Sequence, residues 1–345
     1  MKTTRKRILL LTGSIPPQVC GVGDYSKELF DQLQKTENEY ILYHKLSWSF
    51  RYIWRYLTEI KSLKADLIHI QYPTEGFGYS ILPLALMWLL PKRRLILTVH
   101  EYSRRTVKAK LFTWLLICSA NIVLVSNEEE KDIIKQQWSL GRKNVSVIPI
   151  GSNIPKSKFA NKAFEERGID FAYFGHIRPL KGIEAFISAV RSLTNSKSSP
   201  KRFAIIGQSL QRYTVYLEEL KSNAKDLNIE FILNSSNDLT ADLLANCKII
   251  YLPFPDGISE RRGSLMAAAT NGYSVVSTPS QRGSTNDFFE PFCYLSSAEQ
   301  LLETVHTIFN QPTRKVLRPL SELFSWDAIV ARHIALYDAC LADKK

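Results

Sequence analysis

Short apolar runs alternate with stretches of helical spacing along the whole chain, and that alternation starts over once. Arg7–Thr12 (RILLLT), Asp66–Gln71 (DLIHIQ), Arg94–Val99 (RLILTV), Asn121–Val125 (NIVLV) and Val145–Ile150 (VSVIPI) read as strands. Helical periodicity lies between them at Tyr25–Gln34, Ser80–Leu90 and Lys108–Ser119. After a polar, proline-containing linker, Gly151–Phe159, strands recur at Asp170–Phe174, Arg202–Ile206, Ile229–Leu233, Lys248–Leu252 and Ser274–Thr278. Helices fit between these at Ile183–Leu193, Arg212–Asp226, Ala241–Ala245, Gly263–Asn271 and Ala298–Phe309. Strands rich in Val, Ile and Leu need cover on both faces, which a parallel sheet between helix layers provides. The chain therefore reads as α/β: two Rossmann-like, doubly wound domains, 1–150 and 151–325, facing each other across a cleft at the carboxyl ends of their strands. A closing helix, Trp326–Leu341, has no strand after it. It is expected to return to the first domain as a separate segment, 326–345.

The length of 345 residues is enough for two cores, and a hydrophobic share of 45% excludes a disordered chain. The longest apolar run, Ile81–Leu90, is interrupted by Pro83 and falls short of the ~20 residues a membrane span needs. Gly13 ends the run Ile8–Leu11 too early for a signal peptide. Five scattered cysteines (Cys20, Cys118, Cys247, Cys293, Cys340) without CxxC argue against a disulfide framework and a zinc site, and no HxxxH or HExxH occurs. A cytoplasmic protein is expected. The net charge of +12 is uneven, with +9 lying before Gly151 and 12 basic against four acidic residues between Tyr40 and Lys110. Such an excess favours an anionic partner: a phosphorylated substrate, an acidic membrane face or nucleic acid. Ordinary solvated charge is the other reading.

Three loops carry the chemistry. Ile15–Tyr25 (IPPQVCGVGDY) follows the first strand and opens a helix, where backbone N–H groups can hold an anion and glycines admit close approach. It is not the Rossmann GxGxxG, and a tight turn explains its bare GxG equally well. Tyr173–Gly182 (YFGHIRPLKG) puts Arg178 and Lys181 just before a helix. Cations there oppose the helix dipole unless an anion is shared, and phosphate is the obvious one. Asp256–Gly272 (DGISERRGSLMAAATNG) places Arg261 and Arg262 before another helix, with Ala267–Ala269 permitting close helix–sheet packing. His100 ends a strand at the expected cleft edge, as a ligand contact or a hydrogen-bonded structural residue. His69 lies mid-strand and reads as core, and His44, His306 and His333 have no helpful context.

The order and spacing of several segments together resemble glycosyltransferase family 4, retaining, sugar-nucleotide-dependent enzymes of the GT-B fold. They are GVGDY (Gly21–Tyr25), HIQYP (His69–Pro73), TVHE (Thr98–Glu101), VSNEEEK (Val125–Lys131), IPIGSN (Ile148–Asn153), FGHIRPLKG (Phe174–Gly182), IIG (Ile205–Gly207) and SWDAIVARHIALY (Ser325–Tyr337). The resemblance implies that Gly23 lies near a donor diphosphate, that His100 hydrogen-bonds the donor sugar and that Lys181 binds the phosphates. His176 stands where the family commonly has an arginine, with Arg178 two residues on. The family's two glutamates, with seven residues between them, fall on Ser259 and Ala267. Glu260 or Asp256 can stand in for the first; nothing replaces the second. The segment resembles the DGxSxRRG variant, with Arg261 and Arg262 expected to face the diphosphate. The catalytic set implied is His100, Lys181, Arg262 and Glu260. The binding set is Gly21, Gly23, Asp24, Gly175, His176, Arg178, Gly207, Asp256, Ser259, Arg261, Gly263 and Ser264. No metal and no separate cofactor are expected.

The expected partners are a UDP- or GDP-linked sugar and a glycan or lipid-linked acceptor. Trp48–Lys64 interleaves five aromatic residues (Trp48, Phe50, Tyr52, Trp54, Tyr56) with Arg51, Arg55, Lys61 and Lys64. With Pro91–Arg94 and Arg104–Arg105 it suits an anionic membrane surface, or else a helix packing its aromatics on the core. A rival reading is a GT-B subunit that binds sugar nucleotides without catalysis. Nucleic acid is not an expected partner, because no recognition module is present. A sugar-nucleotide epimerase would need carboxylates that the motifs lack.

Overall fold

Ile8, Leu9, Leu10 and Leu11 are all fully buried, so successive side chains on opposite faces of one strand both meet protein. That is the signature of a central strand in a covered parallel sheet. The computed structural model describes residues 5–18, 20–91, 94–137, 140–194, 200–312 and 322–342, the side chains of Arg104 and Ser284 excepted. It divides the chain into two compact units, Met1–Ile150 with Trp326–Lys345, and Gly151–Ser325.

In the first unit the strands are β1 (Arg7–Thr12), β2 (Glu39–Tyr43), β3 (Leu67–Tyr72), β4 (Leu95–Val99), β5 (Ile122–Val125) and β6 (Val145–Val147). Between them run α1 (Gly21–Leu33), α2 (Ile53–Ser62), α3 (Leu82–Leu89), α4 (Val107–Ser119) and α5 (Glu128–Gln136). The order β2-β1-β3-β4-β5-β6 is parallel throughout. The second unit repeats the plan. Its strands are β7 (Ile169–Phe174), β8 (Phe203–Gly207), β9 (Ile229–Leu233), β10 (Cys247–Leu252), β11 (Ser274–Ser277) and β12 (Tyr294–Leu295), in the parallel order β12-β11-β10-β7-β8-β9. Its helices are α6 (Ile183–Thr194), α7 (Thr214–Asn223), α8 (Asn237–Ala245), α9 (Gly263–Asn271), α10 (Gly283–Phe289) and α11 (Leu301–Asn310). The last helix, α12 (Trp326–Ala342), belongs to the first unit, where Ile329, Val330, Tyr337 and Cys340 share a core with Ile8, Leu10 and Leu29.

Several elements differ from the sequence reading. Helix α1 starts at Gly21 rather than Tyr25, because Cys20 caps it by accepting from the Gly23 N–H. Gly21, Gly23 and Asp24 therefore lie in a helical first turn, not in the loop before it. Strands β2 and β12 and helices α5 and α10 have no counterpart in the periodicity. Helix α5 has an apolar content too low for a periodic signal, but it carries a start signal. The Asn127 side chain accepts from the Glu130 N–H at 2.8 Å, with three glutamates in the first turn. Pro83 sits in the first turn of α3, where its missing N–H is harmless, so the apolar run forms a short helix, Leu82–Leu89. No helix among the described residues is long and apolar enough to cross a membrane. None of the five cysteines is in a disulfide.

Arg167, 2% exposed, ties the second unit's base together. Its guanidinium donates to the carbonyls of Ala160 (2.8 Å), Cys247 (3.1 Å), Lys162 (3.2 Å) and Asn271 (3.2 Å), and lies 5.4 Å from the centre of the Tyr273 ring. The Asn271 carbonyl is at the end of α9, so a buried cation faces the negative pole of that helix. Arg167→Met leaves four carbonyls without this donor, at roughly 1–3 kcal/mol for each one left unpaired. A fall of at least about 3 kcal/mol in urea-unfolding stability is expected; an unchanged midpoint contradicts the role.

Candidate functional site

In the second unit the chain lays β8 and β9 on one side of β7, then crosses to place β10 on the other. The carboxyl ends of β7 and β10 therefore flank a topological switch point, where open α/β sheets take ligands. The loop after β7 is held from below. The Gly175 N–H donates to Ile206 O at 3.1 Å and the Ile177 N–H to Gln208 O at 2.8 Å, and the Ile177 side chain is buried. The loop then turns through Leu180 (φ 63°) and Gly182 (φ 80°) into α6. A Cβ on Gly182 would overlap the Pro253 carbonyl, so the loops after β7 and β10 touch backbone to backbone there. Likewise a Cβ on Gly207 would overlap Gly175 O, and Gly207 is buried. Gly175 and Gly207 thus serve the crossing of two chain segments.

His176 and Arg178 are exposed on this rim and Lys181 is half-buried. Surrounding protein disfavours charge on the His176 imidazole, and Lys181 and Arg178 push its pKa down further. All three basic side chains come from this one loop, within six residues of each other. In the loop after β10, Gly257 (φ 79°) approaches Pro279 and Ser280, and the Ile258 N–H donates to Thr278 O at 3.0 Å. Arg262 lies with its guanidinium 4.5 Å from the centre of the Phe254 ring and donates to the Asp256 carboxylate. Arg262 and Asp256 thus form a pair inside the loop, and Arg261, Glu260 and Ser264 are half-buried beside it. The Ser259 hydroxyl oxygen is buried without a hydrogen-bond partner. Helix α9 begins at the exposed Gly263, with no side-chain cap and no acidic residue in its first turn. Its first N–H groups therefore face solvent without a side-chain cap, a setting in which water or an anion can accept from them. Ala267, where the resemblance puts the second glutamate, is fully buried in the core beside the sheet.

Gly21, Gly23, Asp24 and His100 belong to the first unit. There the switch lies between β1 and β3. A Cβ on Gly76 would overlap the Gly13 carbonyl, and the Gly76 N–H donates to Ser14 Oγ at 2.7 Å. A Cβ on Gly23 would lie 2.9 Å from Ser14 O, so this glycine seats α1 against the loop. Gly21 and Asp24 are exposed, and partial burial raises the Asp24 pKa. His100 follows β4. Its N–H donates to Tyr72 O at 2.8 Å, and its ring packs edge-on to Tyr25 at 5.5 Å.

A buried polar chain, unforeseen in the sequence, runs from His100 through β3 to α12. His100 Nε2 is 2.9 Å from Gln71 Oε1, and Gln71 Nε2 is 3.1 Å from His69 Nε2. His69 Nε2 also meets Thr98 Oγ1 at 2.6 Å, and His69 Nδ1 meets Tyr337 OH at 2.8 Å. The missed signal is polar residues at alternate positions of apolar strands, His69 and Gln71 in β3, and Thr98 in the neighbouring β4. Burial holds His100 and His333 at about 4 and His69 well below its ordinary value, so all three are neutral near pH 7. Among the described residues no group of three or more His, Cys, Asp or Glu is placed to hold a metal ion.

Two Rossmann-like domains of this topology define the GT-B fold, the fold of a large class of glycosyltransferases. Residues 19–154 match the model of Glycosyltransferase Family 4, so the resemblance read from the motifs is carried by the first unit's own sequence. No curated protein sequence matches the chain. Among solved structures it is similar to sucrose-phosphate synthase from Thermosynechococcus elongatus, at 16% identity and TM-score 0.69 over 98% of this chain and 100% of that one. A glycosyltransferase from Rickettsia africae ESF-5 is similar at 14% identity and TM-score 0.69, over 99% and 100%. HepE of Anabaena, solved with UDP and glucose, is similar at 14% identity and TM-score 0.67, over 97% and 100%.

The neutral histidines make stability depend on acid. Between the unfolded pKa near 6.5 and the folded value of about 4, the unfolded chain binds more protons. Stability is therefore full above about pH 6.5 and falls as pH drops toward 4, by up to about 3 kcal/mol for each of His100 and His333. Unfolding titrations across pH 4–7 check this, and His333→Gln is expected to flatten the slope.

Proposed function

We propose that the chain is a glycosyltransferase that moves a sugar from a nucleoside-diphosphate donor to an acceptor hydroxyl with retention, the second unit holding the diphosphate. The observation that carries this reading is the cationic rim at that unit's switch point. Arg178 and Lys181 come from one loop, Arg261 and Arg262 from the other, beside the uncapped start of α9. Breaking a sugar–phosphate bond leaves negative charge on the departing diphosphate, so cations and a helix dipole fixed in advance stabilise the transition state. Arg262, braced by Asp256 and Phe254, is pre-positioned for this role. Glu260 and Ser259 lie in the same loop as candidate sugar contacts. His100, neutral at working pH, is suited to hydrogen-bonding a sugar hydroxyl rather than to pairing with phosphate. UDP is favoured as the carrier because HepE, with the same fold, is solved with UDP and glucose.

Lys181→Ala is expected to lower turnover about a hundredfold or more, roughly 2.7–4 kcal/mol of barrier, with thermal unfolding unchanged. Wild-type rates in that variant sink the phosphate assignment. Screening UDP- and GDP-sugars by thermal shift identifies the donor, and binding without transfer to any acceptor favours a non-catalytic subunit.

For the acceptor we propose a lipid-linked glycan at an anionic membrane surface. The aromatic run divides. Trp48 and Tyr56 are core residues, whereas Phe50 is 50% and Trp54 69% exposed. Ile81, Trp88 and Leu89 are exposed as well, and Arg51 and Arg55 accompany Phe50 and Trp54. Outward aromatics with basic neighbours suit an acidic headgroup layer. Of the other basic residues read with this run, Lys92, Arg93 and the Arg104 side chain lie outside the described residues. Vesicles containing phosphatidylglycerol are expected to sediment the protein and pure phosphatidylcholine vesicles to leave it in solution, with Trp54→Ser weakening the first. Equal behaviour on both vesicle types rejects the membrane.

A further inference from the structure

We propose that Gln71 couples His69 and His100 so that the two rings carry opposite tautomers, with Tyr337 of α12 as the positioning residue that sets the pair. This deepens, and rests on, the reading of His100 as a sugar contact.

The argument is a count of protons. The Gln71 amide stands between two ring nitrogens of the same kind, His100 Nε2 at 2.9 Å and His69 Nε2 at 3.1 Å. One end of an amide only accepts and the other only donates. The nitrogen facing the oxygen must carry a proton and the nitrogen facing the NH₂ must not. Both histidines are buried and neutral, so each ring holds one proton and the choice at Nε2 decides the choice at Nδ1. With the oxygen toward His100, as the structure has it, His100 is Nε2–H and His69 is Nδ1–H. His69 Nδ1 then donates to Tyr337 OH at 2.8 Å, and the single lone pair of His69 Nε2 is shared between the Gln71 NH₂ at 3.1 Å and the Thr98 hydroxyl at 2.6 Å. His100 Nδ1, with no hydrogen bond to protein among the described residues, is left as an acceptor for a ligand hydroxyl. His333 stands outside the exchange, because its Nδ1–H donates to Ile329 O at 2.8 Å.

Tyr337 is the far end of this chain, fully buried in the core shared by α12 and the sheet. Removing its oxygen strands the His69 Nδ1–H. The ring then does better as Nε2–H, donating to Thr98 Oγ1 or to a reversed Gln71 oxygen. Gln71 reverses in turn, and His100 becomes Nδ1–H, presenting a donor where it had an acceptor. A substitution 268 residues from His69 in sequence thus changes which sugar hydroxyl geometry His100 accepts.

Histidine-selective ¹⁵N NMR of the full chain reads the tautomers directly. The expected wild-type result is His100 as Nε2–H and His69 as Nδ1–H, with Tyr337→Phe moving His100 to Nδ1–H and Gln71→Leu abolishing the correlation between the rings. Identical tautomers in the wild type, or a His100 signal indifferent to Tyr337→Phe, overturns the coupling. Should Gln71→Leu fail to fold, Tyr337→Phe, which keeps the ring and loses one atom, decides alone. Transfer kinetics of Tyr337→Phe are read separately. Switched tautomers with unaltered donor KM and kcat leave the coupling standing and remove His100 from the sugar.

Discussion

A side chain on Gly76 would collide with the carbonyl of Gly13, and one on Gly182 with the carbonyl of Pro253. In each unit this is the same physical event, two loops meeting backbone to backbone where the strand order reverses. Parallel sheets open a crevice at that place because neighbouring strands send their connections to opposite faces. Glycine lets the crevice be lined by main chain, with N–H groups close to whatever enters it. Everything charged around the second crevice, from Arg178 to Arg262, is displayed from loops whose course those contacts determine.

Helix α9 shows how the scaffold and the site are joined. Its carboxyl end is answered by the buried Arg167 guanidinium, and its middle by an alanine-rich face packed on the sheet. Its amino end is offered outward with a basic preface. A helix so fixed at one end and along its length presents its dipole without needing to move when a ligand arrives. The Asp256–Arg262 pair has a comparable effect on the loop, holding the guanidinium against Phe254.

Much of this was legible in the residues. The strands of both sheets, apart from the short β12 and the modestly apolar β2, announced themselves as Val/Ile/Leu runs. The linker and the returning helix followed from a change in composition and from a helix with no strand after it. Helix α5 escaped because its apolar content is slight and its start is signalled only by Asn127 and the three glutamates after it. Gly23 reads in the sequence as room for a ligand; the structure adds a packing requirement, the carbonyl of Ser14, a neighbour that sequence spacing does not reveal. The polar chain behind His100 was hidden more deeply. His69 was rightly read as buried, but its partners come from another strand and from a helix in a different stretch of sequence, and only tertiary structure brings Thr98 and Tyr337 to it.

The two units are built on different schedules. Residues 151–325 form an uninterrupted stretch, so the second unit has every element of its core as soon as that stretch has left the ribosome. The first unit does not. Its core includes Ile329, Val330, Tyr337 and Cys340, which are synthesised only after the whole second unit. Domains generally fold as units during synthesis, amino-terminal first. Here the amino-terminal sheet must wait with Ile8, Leu10 and Tyr25 incompletely covered, and the later half of the chain is the one able to mature first.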